Sequence, residues 1–331
     1  MTLAEITAGF GSAFSTQLNL PPDLWLEMGE RDRNNPVLVG PNGKRHTYDE
    51  LLATAQAHVA AAIVPAEIAR RHRQCQDDIA EIGRRLATAP VDVVLAIADD
   101  ERFLFQDDNF PAWLVCWGET NPYLPRPVPP DANAIATGSA WAYGSQRVDF
   151  KGAPALGEHV LRELAGAGFD VSGARALKEG QSIGHPFGFA HTRLLGGKAM
   201  AAPWLPVIIN ASYPPNTPTP ARSYDFGVAL GEAVRSWPEA ARVGVVTIGN
   251  FSHPVLDETM DRSLFRAIET RDEAALRALP RAAFDGGNGQ AKTWIIAAGA
   301  LRHLKMHPVD YVACYRSAAS TGCGMPFAYW D

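Results

Sequence analysis

A layered α/β fold is what this chain predicts, and three observations carry it. Short runs rich in Val and Ile, VDVVLAIA (91–98), LPVIINAS (205–212), RVGVVTIG (242–249) and VDYVACYR (309–316), have the length and near-continuous hydrophobicity of strands covered on both faces. Segments with helical period lie before or after them. The 331 residues, 47% of them hydrophobic, are enough to bury a sizeable core. A central, mostly buried β-sheet flanked by helices follows.

Between 65 and 88 the apolar residues Ile68, Cys75, Ile79, Ile82 and Leu86 recur at spacings of seven, four, three and four. That is one face of a helix, with Arg, Gln, Asp and Glu on the other. Further helices are predicted over ALGEHVLRELAGAG (155–168), YDFGVALGEAVRSW (224–237) and QAKTWIIAAGALRHL (290–304). Two proline-rich stretches, NPYLPRPVPP (121–130) and YPPNTPTP (213–220), break the rhythm. Proline fixes φ and removes a donor, so both read as ordered or semi-rigid loops outside element interiors. The strand and helix pattern resumes after each, so neither is a linker. One domain over 1–331, with a long proline-rich excursion at about 119–152, is the expected organisation.

The formal charge of −6 and the lack of a long Lys/Arg run exclude the electrostatic footprint of a nucleic-acid partner. Cys75, Cys116, Cys314 and Cys323 are far apart in sequence and form no C-x-x-C pair, so no disulfide framework or zinc site is expected and a reduced cytoplasm is the simplest home. The opening MTLAEITAGFGS has no basic n-region. No apolar run reaches the ~18 residues of a membrane helix, so no membrane partner is expected.

Three segments could carry chemistry. TIGNFSHPVLDE (247–258) places Ser252, His253, Asp257 and Glu258 where a buried strand ends, and open α/β sheets bind ligands outside such ends. His253 is a candidate acid/base there, or a histidine that caps a turn. GQSIGHPFGFAH (180–191) sets His185 between Gly184 and Pro186, where the backbone can crowd a ligand; a plain loop histidine is the alternative, and His191 reads as structural. ADDERFLFQDDNFP (98–111) packs five carboxylates between Asp99 and Asn109. These could chelate a hard cation, supply an acid/base, or form a solvated acidic loop with Asp caps. Phe103, Phe105 and Phe110 interleave with the acids, which favours a loop folded over a pocket. There is no G-x-G-x-x-G after the first strand, no P-loop and no G-x-S-x-G elbow. GGNGQ (286–290) precedes a helix and could receive an anion.

Together these segments resemble the class III, LigB-type extradiol ring-cleavage dioxygenases, the superfamily of the catalytic B subunit of protocatechuate 4,5-dioxygenase. The resemblance rests on GFGSAFSTQL (9–18), DVVLAIADDERFLFQDDNFP, GHPFGF, INASYPPNTPTPARSYDFGVALGEAV, TIGNFSHPVLDE, GNGQAKTWIIAAGA and DYVACYRSAASTGCGMPFAYW, in this order over most of the chain. It implies a LigB-like fold and a site that holds Fe(II) through two histidines and a glutamate. Here all three implied ligand positions are altered. Phe14 replaces the first histidine, Glu101 or its neighbour Arg102 the second, and Gln290, four residues before Trp294, the glutamate. Phe14 has no lone pair and Gln290 only a neutral amide, which is not a set that retains ferrous iron.

By the same resemblance His253 matches the acid/base residue and His185 the second pocket histidine. The reading is a metal-independent enzyme that needs no cofactor and uses His253, with Glu101 as a second acid/base and His185 polarising a carbonyl, on a phenolic or ring-cleavage-type substrate. C–C cleavage, hydrolysis, decarboxylation or tautomerisation are the reactions open to it. Phe14 presents an aromatic face to the substrate, Ser15 and Phe105 line the pocket, and Arg222 and Arg316 either hold a substrate carboxylate or, the more ordinary role, serve as structural salt-bridge partners. Two other readings stand beside it. One is a non-catalytic subunit partnering an active dioxygenase, with Phe14 as core filler; the other is an Fe(II) dioxygenase with displaced ligands. The resemblance also implies at least a homodimer.

Overall fold

In the computed structural model, residues 3–36, 38–40 and 43–331 are described, so Met1 and Thr2 of the opening segment lie outside the described residues. The strands, in chain order, are β1 (Glu5–Ser12), β2 (Leu38–Val39), β3 (Arg45–His46), β4 (Val93–Asp99), β5 (Trp113–Cys116), β6 (Thr120–Tyr123), β7 (Val148–Lys151), β8 (Ser172–Ala174), β9 (Trp204–Ile209), β10 (Arg242–Ile248), β11 (Met306–Tyr315) and β12 (Gly322–Trp330). Eight of them form one sheet in the order β11-β12-β1-β10-β4-β9-β5-β8. The central block β1, β10, β4 and β9 is parallel, and the sheet turns antiparallel at β12 and β11 on one side and at β5 on the other.

Successive residues of a strand point to opposite faces. In β4, Val93, Leu95 and Ile97 join one buried cluster while Val94, Ala96 and Ala98 join the other. The sheet is therefore covered on both faces, as its continuous apolar strands require. Helices Pro154–Gly166, Pro220–Arg235 and Ala291–Ala300 cover the first face. Helix Pro65–Thr88 covers the second with Ile68, Cys75, Ile79, Ile82 and Leu86. One acid, Asp78, is buried with them instead of facing water with its neighbours, and burial pushes its carboxyl up to about 7.

Two expectations need correction. The proline-rich excursion is not all loop: Pro122 lies inside β6, which pairs with β7 in a separate two-stranded sheet, and helix Ala134–Tyr143 spans the gap. Pro122 is tolerated because a two-stranded ribbon consists entirely of edge strands. In the second stretch, Pro220 opens a helix at its first turn, where the missing N–H has no partner to lose. Cys75 and Cys314, remote in sequence, stand with their sulfurs 3.7 Å apart as buried thiols. Among the described residues no helix is long and apolar enough to cross a membrane.

Candidate active site

The candidate residues leave the sheet at one edge. Phe14 follows β1, Glu101 follows β4 and His253 follows β10, all at the carboxyl ends of parallel strands. At the end of β4 the chain turns through two successive non-glycine residues with positive φ, Glu101 at 50° and Arg102 at 60°. Such geometry is uncommon and costs free energy. Asp100 holds it by accepting from the backbone N–H of Leu104 at 2.9 Å and of Phe105 at 2.8 Å. The turn sends the two side chains apart. Arg102 goes outward to the exposed Asp107 and over the Phe110 and Tyr213 rings, while Glu101 goes inward. Of the two residues that the resemblance offers for the second ligand position, Glu101 is the one that faces Gln290 and His185.

A chain of hydrogen bonds joins the three implied ligand positions, and its direction is fixed by the backbone. The Phe14 N–H donates to Asn250 Oδ1 at 3.1 Å, so the Asn250 amide nitrogen donates to Gln290 Oε1 at 3.2 Å. That leaves the Gln290 Nε2 to donate to Glu101 Oε1 at 2.9 Å. Glu101 Oε2 then faces His185 Nδ1 at 3.7 Å, beyond hydrogen-bond range. These positions do not form a metal-binding set. Phe14 is 1% exposed and packs on Tyr143 and Phe189, and Gln290 spends its oxygen on Asn250 and points N–H at Glu101. Fe(II) does not fit this donor set. Among the described residues no group of three or more His, Cys, Asp or Glu is placed to hold a metal ion. Of the clustered acids, Asp99 accepts from Ala211 N and Ser212 Oγ, Asp100 from Leu104 N and Phe105 N, and Asp107 pairs with Arg102.

The electrostatics separate acid from base. Burial, reinforced by the charge of Asp99, pushes the Glu101 carboxyl up to about 8, with Arg126 and the Gln290 hydrogen bond pulling the other way. Burial, helped by Arg126, brings His185 down to about 3. At neutral pH the two face each other as a carboxylic acid and a neutral imidazole, not as an ion pair. With Oε1 accepting from Gln290, the acid proton sits on Oε2. Burial brings His253 down to about 4, opposed by its contact with the Phe251 carbonyl. Its Nδ1 lies 3.2 Å from that oxygen, which can only accept. The ring therefore carries its proton on Nδ1 and leaves Nε2 bare, the form of a general base.

His253 and Glu101 are anchored by one short segment. In the 3₁₀ turn Gly287–Gln290, Asn288 Oδ1 accepts from the His253 N–H at 2.8 Å, and Gln290 holds Glu101. The turn lies against other backbone: a Cβ at Gly287 would stand 2.1 Å from the His253 oxygen, and one at Gly289 2.0 Å from that of Ala211. Gly287 and Gly289 of GGNGQ therefore serve close packing, while Gly286 serves the turn through its φ of 84°. Before His253, Ser252 donates its N–H and hydroxyl to the buried Asp261, and Tyr311 donates its hydroxyl to the same carboxylate.

His185 opens helix His185–Phe189, stacked 4.3 Å from the Tyr143 ring and edge-on to Phe103. It lines a cavity of about 210 Å³ with Tyr123, Tyr143, Arg126 and a wall of Pro125, Pro127 and Pro129. Phe14 is not in that wall, contrary to its expected role as an aromatic face for the substrate. Phe105 is buried against Phe110, and Ser15 caps the helix Thr16–Asn19 by accepting from Gln17 N. Arg316 is buried, forked onto Asp32 with its third contact to Gln17, and Arg222 lies over Phe169 and Trp113. Neither lines the cavity, so the carboxylate role proposed for them has no support in their surroundings. His191 faces Phe150. Arg126 and Tyr123 escaped sequence reasoning because they sit in a stretch whose prolines drew all the attention.

The fold and site define an α/β protein in which Glu101 faces His185 at the carboxyl edge of the parallel strands, with His253 on a neighbouring loop outside the lining of the cavity. The chain belongs to the LigB family: a family model described as the catalytic LigB subunit of aromatic ring-opening dioxygenase matches residues 53–319. The match starts after GFGSAFSTQL, so the placing of Phe14 rests on its hydrogen-bonded link to Gln290 and Glu101. No curated protein sequence matches the chain. Among solved structures it is similar to an uncharacterized protein, JW3007, from Escherichia coli K12, at 11% identity and a TM-score of 0.46, over 77% of this chain and 91% of that one.

Proposed function

We propose that this LigB-family chain is a metal-independent acid/base enzyme acting on a phenolic or ring-cleavage-type substrate. The observation that carries this reading is the pairing of a carboxyl held up at about 8 with imidazoles held down at about 3 and 4, at one edge of the sheet. Groups whose environments push their pKa values apart mark acid and base roles. His253 Nε2 takes the proton of a phenol or enol, Glu101 Oε2 delivers one, and neutral His185 polarises a carbonyl. Tautomerisation needs only these transfers. In decarboxylation CO₂ leaves as the enolate forms and the delivered proton takes its place on carbon. In hydrolysis or hydrolytic C–C cleavage His253 takes the proton of a water that attacks the carbonyl, while the leaving group receives the proton from Glu101. The packed ring of Phe14 favours a second reading, a non-catalytic subunit beside an active dioxygenase.

Chelator-treated protein, assayed against catechols, hydroxybenzoates and ring-fission products, is expected to turn over at least one of them. His253→Ala should slow that turnover by about 10²–10⁴-fold, the usual contribution of a general base. Equal inactivity of both proteins across the panel would favour the subunit reading.

A further inference from the structure

We infer that Arg126 and Tyr123 form an anion subsite at the cavity beside His185, and that the molecule bound there carries a carboxylate. Among the described residues no carboxylate makes a salt bridge with Arg126; its one hydrogen bond goes to the Glu101 backbone oxygen at 2.9 Å. Its guanidinium lies 4.2 Å from the centre of the Phe103 ring, which holds the planar group in place. Tyr123, on the same wall, is fully buried, yet its hydroxyl has no hydrogen-bond partner. A buried orphan of this kind calls for a ligand or water. The neighbouring Tyr143 hydroxyl, by contrast, is already engaged by Thr16.

The local charge points the same way. Asp100 spends its carboxylate on the Leu104 and Phe105 N–H groups and Glu101 Oε1 on Gln290, so neither pairs with the guanidinium. The fork of a guanidinium matches a carboxylate in two parallel hydrogen bonds, and a tyrosine hydroxyl can add a third. Three prolines, 125, 127 and 129, stiffen this wall and reduce the entropy lost when a ligand is held. A volume of about 210 Å³ suits a single ring, since one of ~150 Å³ already admits benzene. A ring acid with its carboxylate on Arg126 has its ring beside His185, which gives the subsite a selective role.

The inference rests on this cavity being the substrate pocket of the proposed reading, but its test needs no turnover. Calorimetric titration of the full chain at neutral pH compares para-hydroxybenzoate with its neutral isostere para-hydroxybenzamide. The acid is expected to bind about 10–100-fold more tightly, the worth of charge-assisted hydrogen bonds. Arg126→Gln should erase that preference, and Arg126→Lys should restore part of it. Tyr123→Phe should weaken the acid several-fold and leave the amide unchanged. Arg126 is exposed, so its variants are expected to fold. Equal binding of acid and amide, a preference that survives Arg126→Gln, or no binding of the acid would overturn the subsite. Binding through Arg126 without His253-dependent turnover would instead count against the acid/base reading and leave the subsite standing.

Discussion

Glu101→Gln is expected to abolish turnover while making the protein more stable at alkaline pH. The substitution keeps an oxygen to accept from Gln290 and removes only the ability to donate a proton and to ionise. Loss of a general acid costs about 10²–10⁴-fold in rate. In the wild type the pH profile should have an alkaline limb near the Glu101 value of about 8 and an acid limb near the His253 value of about 4. The stability effect has a definite sign. An acid whose folded pKa of about 8 lies above its unfolded 4.5 holds its proton more tightly when folded. Stability is therefore highest below pH 4.5, falls as pH rises through the interval, and levels off above 8. Each unit of difference is about 1.4 kcal/mol, and with 25% of the side chain open to water a net cost on the order of 2 kcal/mol is expected. Denaturant melts of both proteins should coincide near pH 4.5 and diverge in favour of the variant by pH 9. Parallel curves would show that Glu101 ionises normally and is not the acid.

The triple change Phe14→His, Glu101→His and Gln290→Glu is expected to create an Fe(II) site. The three positions already converge, joined through Asn250 by hydrogen bonds of 3.1, 3.2 and 2.9 Å. Two imidazoles and a carboxylate supply the facial set that ferrous iron prefers. Replacing Phe14 also removes a ring packed on Tyr143 and Phe189, at a stability cost of about 1–3 kcal/mol. Iron affinity measured anaerobically should rise from none to stoichiometric. A folded triple variant that binds no iron would mean that the cluster has been remodelled beyond restoration.

Much of the architecture could be read from the chain because apolar runs report burial directly. β4, β9, β10 and β11 and the face of helix Pro65–Thr88 all follow from it. β1 and β12 escaped because EITAGFGS and GCGMPFAYW are rich in glycine and weak in β-branched residues, and they become strands by pairing with each other and with neighbours. At the site, the resemblance located positions but could not choose between Glu101 and Arg102. That choice is made by two positive φ angles and the Asp100 carboxylate, a property of the folded turn. The salt-bridge partner of Arg316 could not be named from the sequence because Asp32 is 284 residues away. Pairings over such distances leave no local signal.

Iron content of the unaltered chain bears most directly on the account. Protein purified and reconstituted anaerobically with excess Fe(II), then desalted, is expected to retain no stoichiometric iron, since Phe14 and the Gln290 amide offer it nothing to hold. Retention of a full equivalent per chain, lost on His185→Ala or His253→Ala, would contradict the metal-free reading and restore the dioxygenase with displaced ligands.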